Sequence, residues 1–324
     1  MKRPSNIPLI TAIAACIVFT FSQAAFAQQS CENLKNIKLP NITFTNAQAH
    51  EPGWNMPGQE GWRTTKPQVI PVAFCQVEGY ATPTSDSRIG FEVWLPLEKS
   101  WNGRFLASGN PGFIGSLSRG SLAGIMQRGY VAAATDTGHV DETGALAIGH
   151  PEKWADWGYR AVHETAVVAK RLSQEYYGRP VQYSYWNSCH NGGNQGLSEA
   201  QRYPGDFDGI VAADPAFRIS HIQPGTLYLS WVSLKDGVDS PGYIPPSKYI
   251  VLRNAALAAC DENDGLKDGI ITDPSRCKFD PAVTLCKGGD QPDCLTAPQI
   301  ETARKIYEGA KFKDGTQIFS GMAP

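Results

Sequence analysis

The sequence has no surplus of charge of either sign, no internal repeat, no low-complexity tract and, beyond its N-terminal stretch, no long apolar run. Its 29 Lys and Arg face 31 Asp and Glu, for a net charge of −2. The clustered positive surplus of a nucleic-acid binder is therefore missing. Charged residues make up 19 % and hydrophobic ones 42 %, which excludes an acidic disordered tail and a collagen-like repeat. With no second apolar stretch, nothing downstream reads as a membrane span. A chain of 324 residues can still bury a sizeable core, as one large or two modest domains.

What is present begins with an address. Lys2 and Arg3 precede a largely apolar run from Ile7 to Phe21, and Ala25-Phe26-Ala27 supplies a small-x-small cleavage site. Residues 1–27 therefore read as a secretory signal peptide, giving a secreted or periplasmic mature chain from Gln28 with no membrane association after cleavage. Ile13-Ala14-Ala15-Cys16 loosely resembles a lipoprotein box, but the apolar run continues past Cys16 and favours cleavage after Ala27. Export places the cysteines in an oxidising compartment, where they pair. Of the 8 in the sequence, Cys16 leaves with the signal, and Cys31, Cys75, Cys189, Cys260, Cys277, Cys286 and Cys294 remain. That number is odd, so at least one thiol lacks a partner within this chain.

Residues 91–98, 104–108 and 129–134 are short apolar runs bounded by Gly, Pro or Asn, the pattern of strands. Residues 159–174 space Val162, Ala166, Ala169 and Leu172 for a helix. A strand at 182–186, a Gly-rich turn at 188–193, a helix at 194–202 and a strand at 209–213 follow. Strands alternating with helices predict an α/β fold with a parallel sheet. Beyond Pro215 the chain is richer in Pro, Cys and Asp, with short helical stretches such as 248–259 and 297–308, and reads as a second, loop-rich region.

The turn carries the chemistry. A strand entering a sharp Gly-rich turn and leaving as a helix exposes a nucleophile and aims helix N–H groups at a developing oxyanion. Here it reads Tyr185-Trp186-Asn187-Ser188-Cys189-His190-Asn191-Gly192-Gly193-Asn194-Gln195. This resembles the tannase and feruloyl esterase family, whose elbow is Gly-Cys-Ser-x-Gly-Gly with a Gln two residues on. Thr135-Asp136-Thr137-Gly138-His139, Gly158 to Glu164, Glu199 to Pro204 and Phe207 to Ala212 carry the same resemblance, which runs from about Cys31 to Pro324. It implies a secreted carboxylic ester hydrolase acting on small aromatic esters, hydroxycinnamates or gallates, by acyl transfer. It further implies an incomplete α/β-hydrolase sheet over 28–216 and part of a disulfide-rich lid domain over 217–324. That lid would cover the elbow and shape the pocket for the aromatic acid.

In that register the family's nucleophilic Ser falls on His190 and the Gly two before it on Ser188. No Gly-x-Ser-x-Gly is intact anywhere. Gly196-Leu197-Ser198-Glu199-Ala200 lies inside the predicted helix, and Ser116-Leu117-Ser118-Arg119-Gly120 reads as loop. An imidazole can attack an ester, but His190 would lack the base and orienting carboxylate of a triad, so its catalysis is expected to be impaired. Ser188 as a shifted nucleophile would point elsewhere on the turn. Asn191 should offer its backbone N–H as one oxyanion donor, and the loop Gly109-Asn110-Pro111-Gly112-Phe113 a second, at Gly112. The competing reading of that loop is a plain Gly-rich strand end. The competing class for the whole chain is a catalytically inactive relative that at most binds a ligand.

The resemblance places the triad acid and base further along than Pro324, so the chain is expected to be a fragment. It also implies the pairs Cys31–Cys75, Cys260–Cys277 and Cys286–Cys294, leaving Cys189 without its partner. Residues 260–274 hold Asp261, Asp264 and Asp268 around two glycines, which suits a hard cation or a solvated acidic turn. The family's calcium loop implies a structural Ca²⁺ there, on the side chains of Asp261, Asp264 and Asp268 and the carbonyls of Leu266 and Ile270. Asn41-Ile42-Thr43 is a glycosylation sequon. His139 and His163 read as hydrogen-bonded core or rim residues, and Trp154 and Trp157 as packing. Oligomeric state cannot be read from these residues.

Overall fold

Short apolar runs with no polar face need cover on both sides, and in the computed structural model they form the middle of a seven-stranded sheet. The structure describes residues 29–58, 66–140 and 143–324. The expected leader at 1–27, with Cys16, lies outside them. The strands are β1 (Ile42–His50), β2 (Trp54–Met56), β3 (Gln68–Ile70), β4 (Phe74–Ala81), β5 (Ile89–Pro96), β6 (Arg104–Ala107), β7 (Val131–Thr135), β8 (Tyr183–Cys189) and β9 (Gly209–Ala213). The sheet runs in the order β1-β4-β5-β7-β6-β8-β9, while β2 and β3 pair separately.

The sheet is parallel only from β7 through β6 and β8 to β9. β1, β4 and β5 pair antiparallel, and β5 meets β7 antiparallel. The parallel sheet expected from alternating strands and helices is the β7-β6-β8-β9 part of this mixed sheet. β1 and β4 have no apolar run to announce them, because Gln76, Glu78 and Asn46 point into a polar network instead of solvent. In that network the fully buried Glu92 accepts from Trp94 Nε1 at 2.7 Å, Gln76 Nε2 at 2.5 Å and Arg119 Nε at 3.0 Å. Arg119 reaches Glu78 at 2.7 Å as well.

Helices cover both faces. α1 (Arg119–Met126) lays Leu122, Ala123 and Met126 on Trp94 and Phe74. α2 (Pro151–Ala155) leads through one π-helical turn into α3 (Ala161–Tyr177). α3 buries Val162, Ala166, Ala169 and Leu172 against Phe105 and Val131 on the other face. Gly178, at φ 67°, ends α3 in the left-handed conformation that glycine tolerates best. α4 (Asn191–Arg202) follows β8 directly. Of the stretch Ser116–Gly120, read from sequence as loop, the last two residues open α1.

The chain divides into two compact units, Ala216–Pro324 forming the second. This unit holds α5 (Ile219–Leu234), α6 (Tyr249–Cys260) and α7 (Ala297–Glu308) around Ile244, Leu252, Leu295 and Ile300. α5 is longer than the short helices expected there. Its internal Pro224 and all-round apolar composition hide any helical period. The Thr296–Gln299 capping box starts α7. Disulfides join Cys31 to Cys75, Cys260 to Cys277 and Cys286 to Cys294, and Cys189 is free and exposed. No helix among the described residues is long and apolar enough to cross a membrane.

Candidate active site

The chain leaves β6 toward β7 on one side and later returns to β8 on the other, so the loops after β6 and β8 open side by side at the carboxyl ends of neighbouring parallel strands. In open α/β sheets that is where ligands bind. Pairing with β9 holds β8 straight as far as Cys189, opposite Ala213, and α4 starts at Asn191. The expected six-residue turn therefore narrows to one residue.

That residue is His190, at φ 61° and ψ −127°, a left-handed conformation that a side chain adopts only under constraint. Three contacts impose it. The His190 amide donates to the Ala213 carbonyl at 3.1 Å, and the His190 carbonyl accepts from Gly193 at 2.9 Å and Asn194 at 3.3 Å. Glycines make room beneath: a Cβ on Gly193 would lie 2.4 Å from the Ala213 oxygen, and one on Gly192 would lie 2.0 Å from Ser188 Oγ. Trp186 Nε1 donates to the Gly192 carbonyl at 2.9 Å from below.

The strained turn lifts the His190 ring into solvent. No side chain among the described residues hydrogen-bonds it. Asn191, buried, is the first residue of α4, where an amide has no helical acceptor and the helix dipole is positive. Ser188 points inward and accepts the Gly109 amide at 3.1 Å, so its hydroxyl sits under the turn and not at its tip. Gly112 has φ 55°, and its carbonyl accepts from Trp157 Nε1 at 3.2 Å. The Phe113 carbonyl meets His139 Nε2 at 2.5 Å. Phe113 stacks on Trp157 at 4.4 Å, with Trp154 edge-on at 5.9 Å. His190, Asn191 and the Gly112 loop thus belong to adjacent strand ends.

The sequence suggested a role for the Asn191 amide but none for the polar side chains on the inner face of α4. Asn191, Gln195 and Glu199 recur at i+4 and are all buried. That spacing of polar residues on a core-facing stripe was the available signal. Gln195 Oε1 accepts the Asn110 amide at 3.1 Å. Glu199, 1 % exposed, receives no hydrogen bond from the described residues, and its carboxyl faces that of Asp206. Burial, with Asp206 adding its charge, pushes the Glu199 carboxyl up to about 8, and Lys170 opposes the shift. Asp206 in turn holds His163 Nδ1 at 2.6 Å, and His163 stacks on Tyr203 at 3.8 Å.

A strained residue between a parallel strand and a glycine-lined helix, with the first helix amides beside it, is the elbow of an α/β-hydrolase. The comparisons with known proteins agree. Residues 75–324 match the family described as Tannase and feruloyl esterase. The chain belongs to this family.

An uncharacterized esterase of Xanthomonas campestris is 39 % identical over 305 residues, covering 93 % of this chain and 51 % of that protein. A probable feruloyl esterase B-2 of Aspergillus fumigatus is 31 % identical over 328 residues, covering 100 % of this chain and 61 % of its own length. The crystal structure of feruloyl esterase B from Aspergillus oryzae superposes with a TM-score of 0.74 at 29 % identity, over 91 % of this chain and 58 % of that one. The chain spans about half to three fifths of the length of the curated relatives it matches. Its fold is that of the tannase and feruloyl esterase α/β-hydrolases.

The acidic loop lies in the second unit. Asp261, buried, accepts the Gly269 amide on both oxygens at 3.0 and 3.2 Å. Asp264 accepts the Leu266 amide at 2.9 Å and the Thr272 hydroxyl, and Asp268 accepts the Ile270 amide at 3.1 Å. The Thr272 and Leu266 bonds hold the Asp264 carboxyl below its ordinary range. Each carboxylate thus caps its own loop, and among the described residues no three His, Cys, Asp or Glu side chains are gathered to hold a metal. The donors are all oxygens, which suits a hard cation in chemistry.

Proposed function

We propose that the protein is a secreted or periplasmic carboxylic ester hydrolase that cleaves esters of aromatic acids of the hydroxycinnamate or gallate type. Residues 28–216 would form its hydrolase core and 217–324 its lid. The observation that carries the reading is the strained backbone at His190 (φ 61°, ψ −127°), with the first amides of α4 beside it. Family membership and relatives named feruloyl esterase support the aromatic acid. Three disulfides support an oxidising compartment.

In this reading a lone pair of the His190 ring attacks the ester carbonyl carbon, and the oxyanion is met by the amides of Asn191 and Gly112. The alcohol departs with the proton that the other ring nitrogen releases through water, and a second water then cleaves the acylimidazole, giving the free acid and returning a proton to the ring. With no carboxylate among the described residues bonded to the ring, turnover lies below the roughly 1–10³ s⁻¹ of ordinary enzymes. The same unpartnered ring favours a second reading, in which the site binds an aromatic ligand without turnover. Hydrolysis of methyl ferulate and 4-nitrophenyl acetate, measured on one preparation, tests the proposal. The expected kcat/KM is about tenfold higher for the aromatic acyl group, worth about 1.4 kcal/mol of transition-state binding. Equal values would remove the aromatic assignment. Ferulate binding with no turnover of either ester would select the second reading.

The loop at 261–270 is proposed as a structural calcium site, with Asp261, Asp264 and Asp268 and the carbonyls of Leu266 and Ile270 as oxygen donors. The donor chemistry and the Cys260–Cys277 bridge closing the loop support it. Titration calorimetry on the folded chain should show Ca²⁺ binding, and a millimolar Ca²⁺ excess should raise the melting temperature. No heat and no thermal shift would exclude the site.

A further inference from the structure

The amides of the loop after β6 are committed one by one. Gly109 donates to Ser188 Oγ, Asn110 to Gln195 Oε1 and Ile114 to the Pro111 carbonyl, each at 3.1 Å. Pro111 has no amide to give. The Gly112 and Phe113 amides remain without an acceptor among the described residues. Two carboxamides decide this pattern. Asn110 Nδ2 lies within reach of the carbonyls of Ile114 (3.2 Å), Ser116 (3.2 Å) and Thr135 (2.9 Å), which closes the loop on itself and on the end of β7. Gln195, one turn into α4, then fastens the closed loop to the helix that forms the elbow.

Gly109 leaves that joint no slack, since a Cβ there would fall 2.2 Å from Gln195 Oε1 and 2.8 Å from the Gly192 Cα. Both carboxamides are buried, at 5 % and 3 % exposure, yet Asn110 Oδ1 and Gln195 Nε2 have no partner among the described residues. A buried amide kept only for stability would satisfy both ends. These two are oriented by the loop and leave their second ends unmet.

We propose that Gln195 and Asn110 are positioning residues: they set the glycine loop against the elbow so that the Gly112 amide is presented together with the Asn191 amide to a negatively charged oxygen. The inference rests on the ester-hydrolase reading above for the nature of that oxygen, and neither side chain need touch the ester.

The test uses the full chain and two variants. Gln195→Met keeps the length of the side chain and removes the acceptor. Gln195→Glu, studied at pH 6, keeps a carbonyl acceptor, because a carboxyl so deeply buried retains its proton. Amide hydrogen exchange without ligand should be at least about tenfold faster at Asn110 in Gln195→Met and near wild type in Gln195→Glu. A ferulate titration followed through the Gly112 and Asn191 amide resonances should weaken about tenfold in Gln195→Met and recover in Gln195→Glu. Wild-type exchange and binding in Gln195→Met would overturn the proposal. So would losses in both variants that merely track a lower melting temperature, since that pattern describes a structural role. A wild-type chain that shows the exchange difference but neither binds ferulate nor hydrolyses an aromatic ester would remove the ester reading and the anion role of Gly112. The loop-setting role of Gln195 would survive that result.

Discussion

Replacing Arg119 by Met should destabilise the protein by about 3 kcal/mol, the lower end of the cost of leaving a buried charge unpaired. The lower end applies because the Arg119 side chain is 25 % exposed, whereas Glu92 is wholly buried. Burial, with the charge of Glu78 adding to it, raises the Glu92 carboxyl above its ordinary range, and the Arg119 guanidinium is the main force acting against the shift. Without Arg119, Glu92 keeps only Trp94 and Gln76, and it must either carry a naked charge among β4, β5 and α1 or take up a proton. Denaturant unfolding measures the loss. Adding Glu92→Gln to Arg119→Met should recover more than half of it, because the penalty belongs to the orphaned charge and not to the missing guanidinium. A double variant as unstable as the single one would show that the Arg119 stem carries the effect by packing.

The second large effect is on pH dependence. Glu199, with its folded-state pKa up to about 8, keeps a proton that the unfolded chain releases near 4.5. Between those values the native state binds the extra proton, so the stability it contributes is complete below about pH 4.5 and is lost as pH rises through 8. Groups facing it are Asp206 and His163, which hold each other, Lys170 on α3, and Tyr203 on the loop that ends α4. Glu199→Gln cannot ionise and still has an N–H to offer Asp206. The wild type should therefore lose on the order of 3–5 kcal/mol relative to Glu199→Gln between pH 5 and pH 9. Unfolding curves for both proteins at several pH values give this difference directly. Parallel stability profiles would mean that Glu199 is ionised throughout.

These two sites show what could and could not be read in the residues. β7, Val-Ala-Ala-Ala-Thr, is buried along its whole length, so its run of apolar residues announced a covered strand. The elbow was legible because only small residues fit under it, as the crowding at Gly192 and Gly193 shows. β1 and β4 were not legible, because Gln76 and Glu78 face inward and are satisfied by Arg119, Asn46 and Glu92. A polar residue paired with a distant polar residue looks, in sequence, like a solvated one. α1 was hidden by Gly120 and Gly124, which weaken helix propensity, and it is held by the packing of Leu122 and Met126. The roles of Gln195 and Asn110 depend on a contact across 85 positions of chain, which no local pattern carries.

In the proposed reaction an aromatic ester reacts at the tip of the turn, at His190. The most direct measurement is the rate of methyl ferulate hydrolysis by wild type and His190→Ala, with Ser188→Gly and Cys189→Ser as controls for the neighbouring hydroxyl and thiol. The expected result is slow wild-type turnover, a loss of at least about tenfold in His190→Ala, and little change in Cys189→Ser. Turnover that survives in His190→Ala, or that is lost only with Ser188 or Cys189, would contradict it.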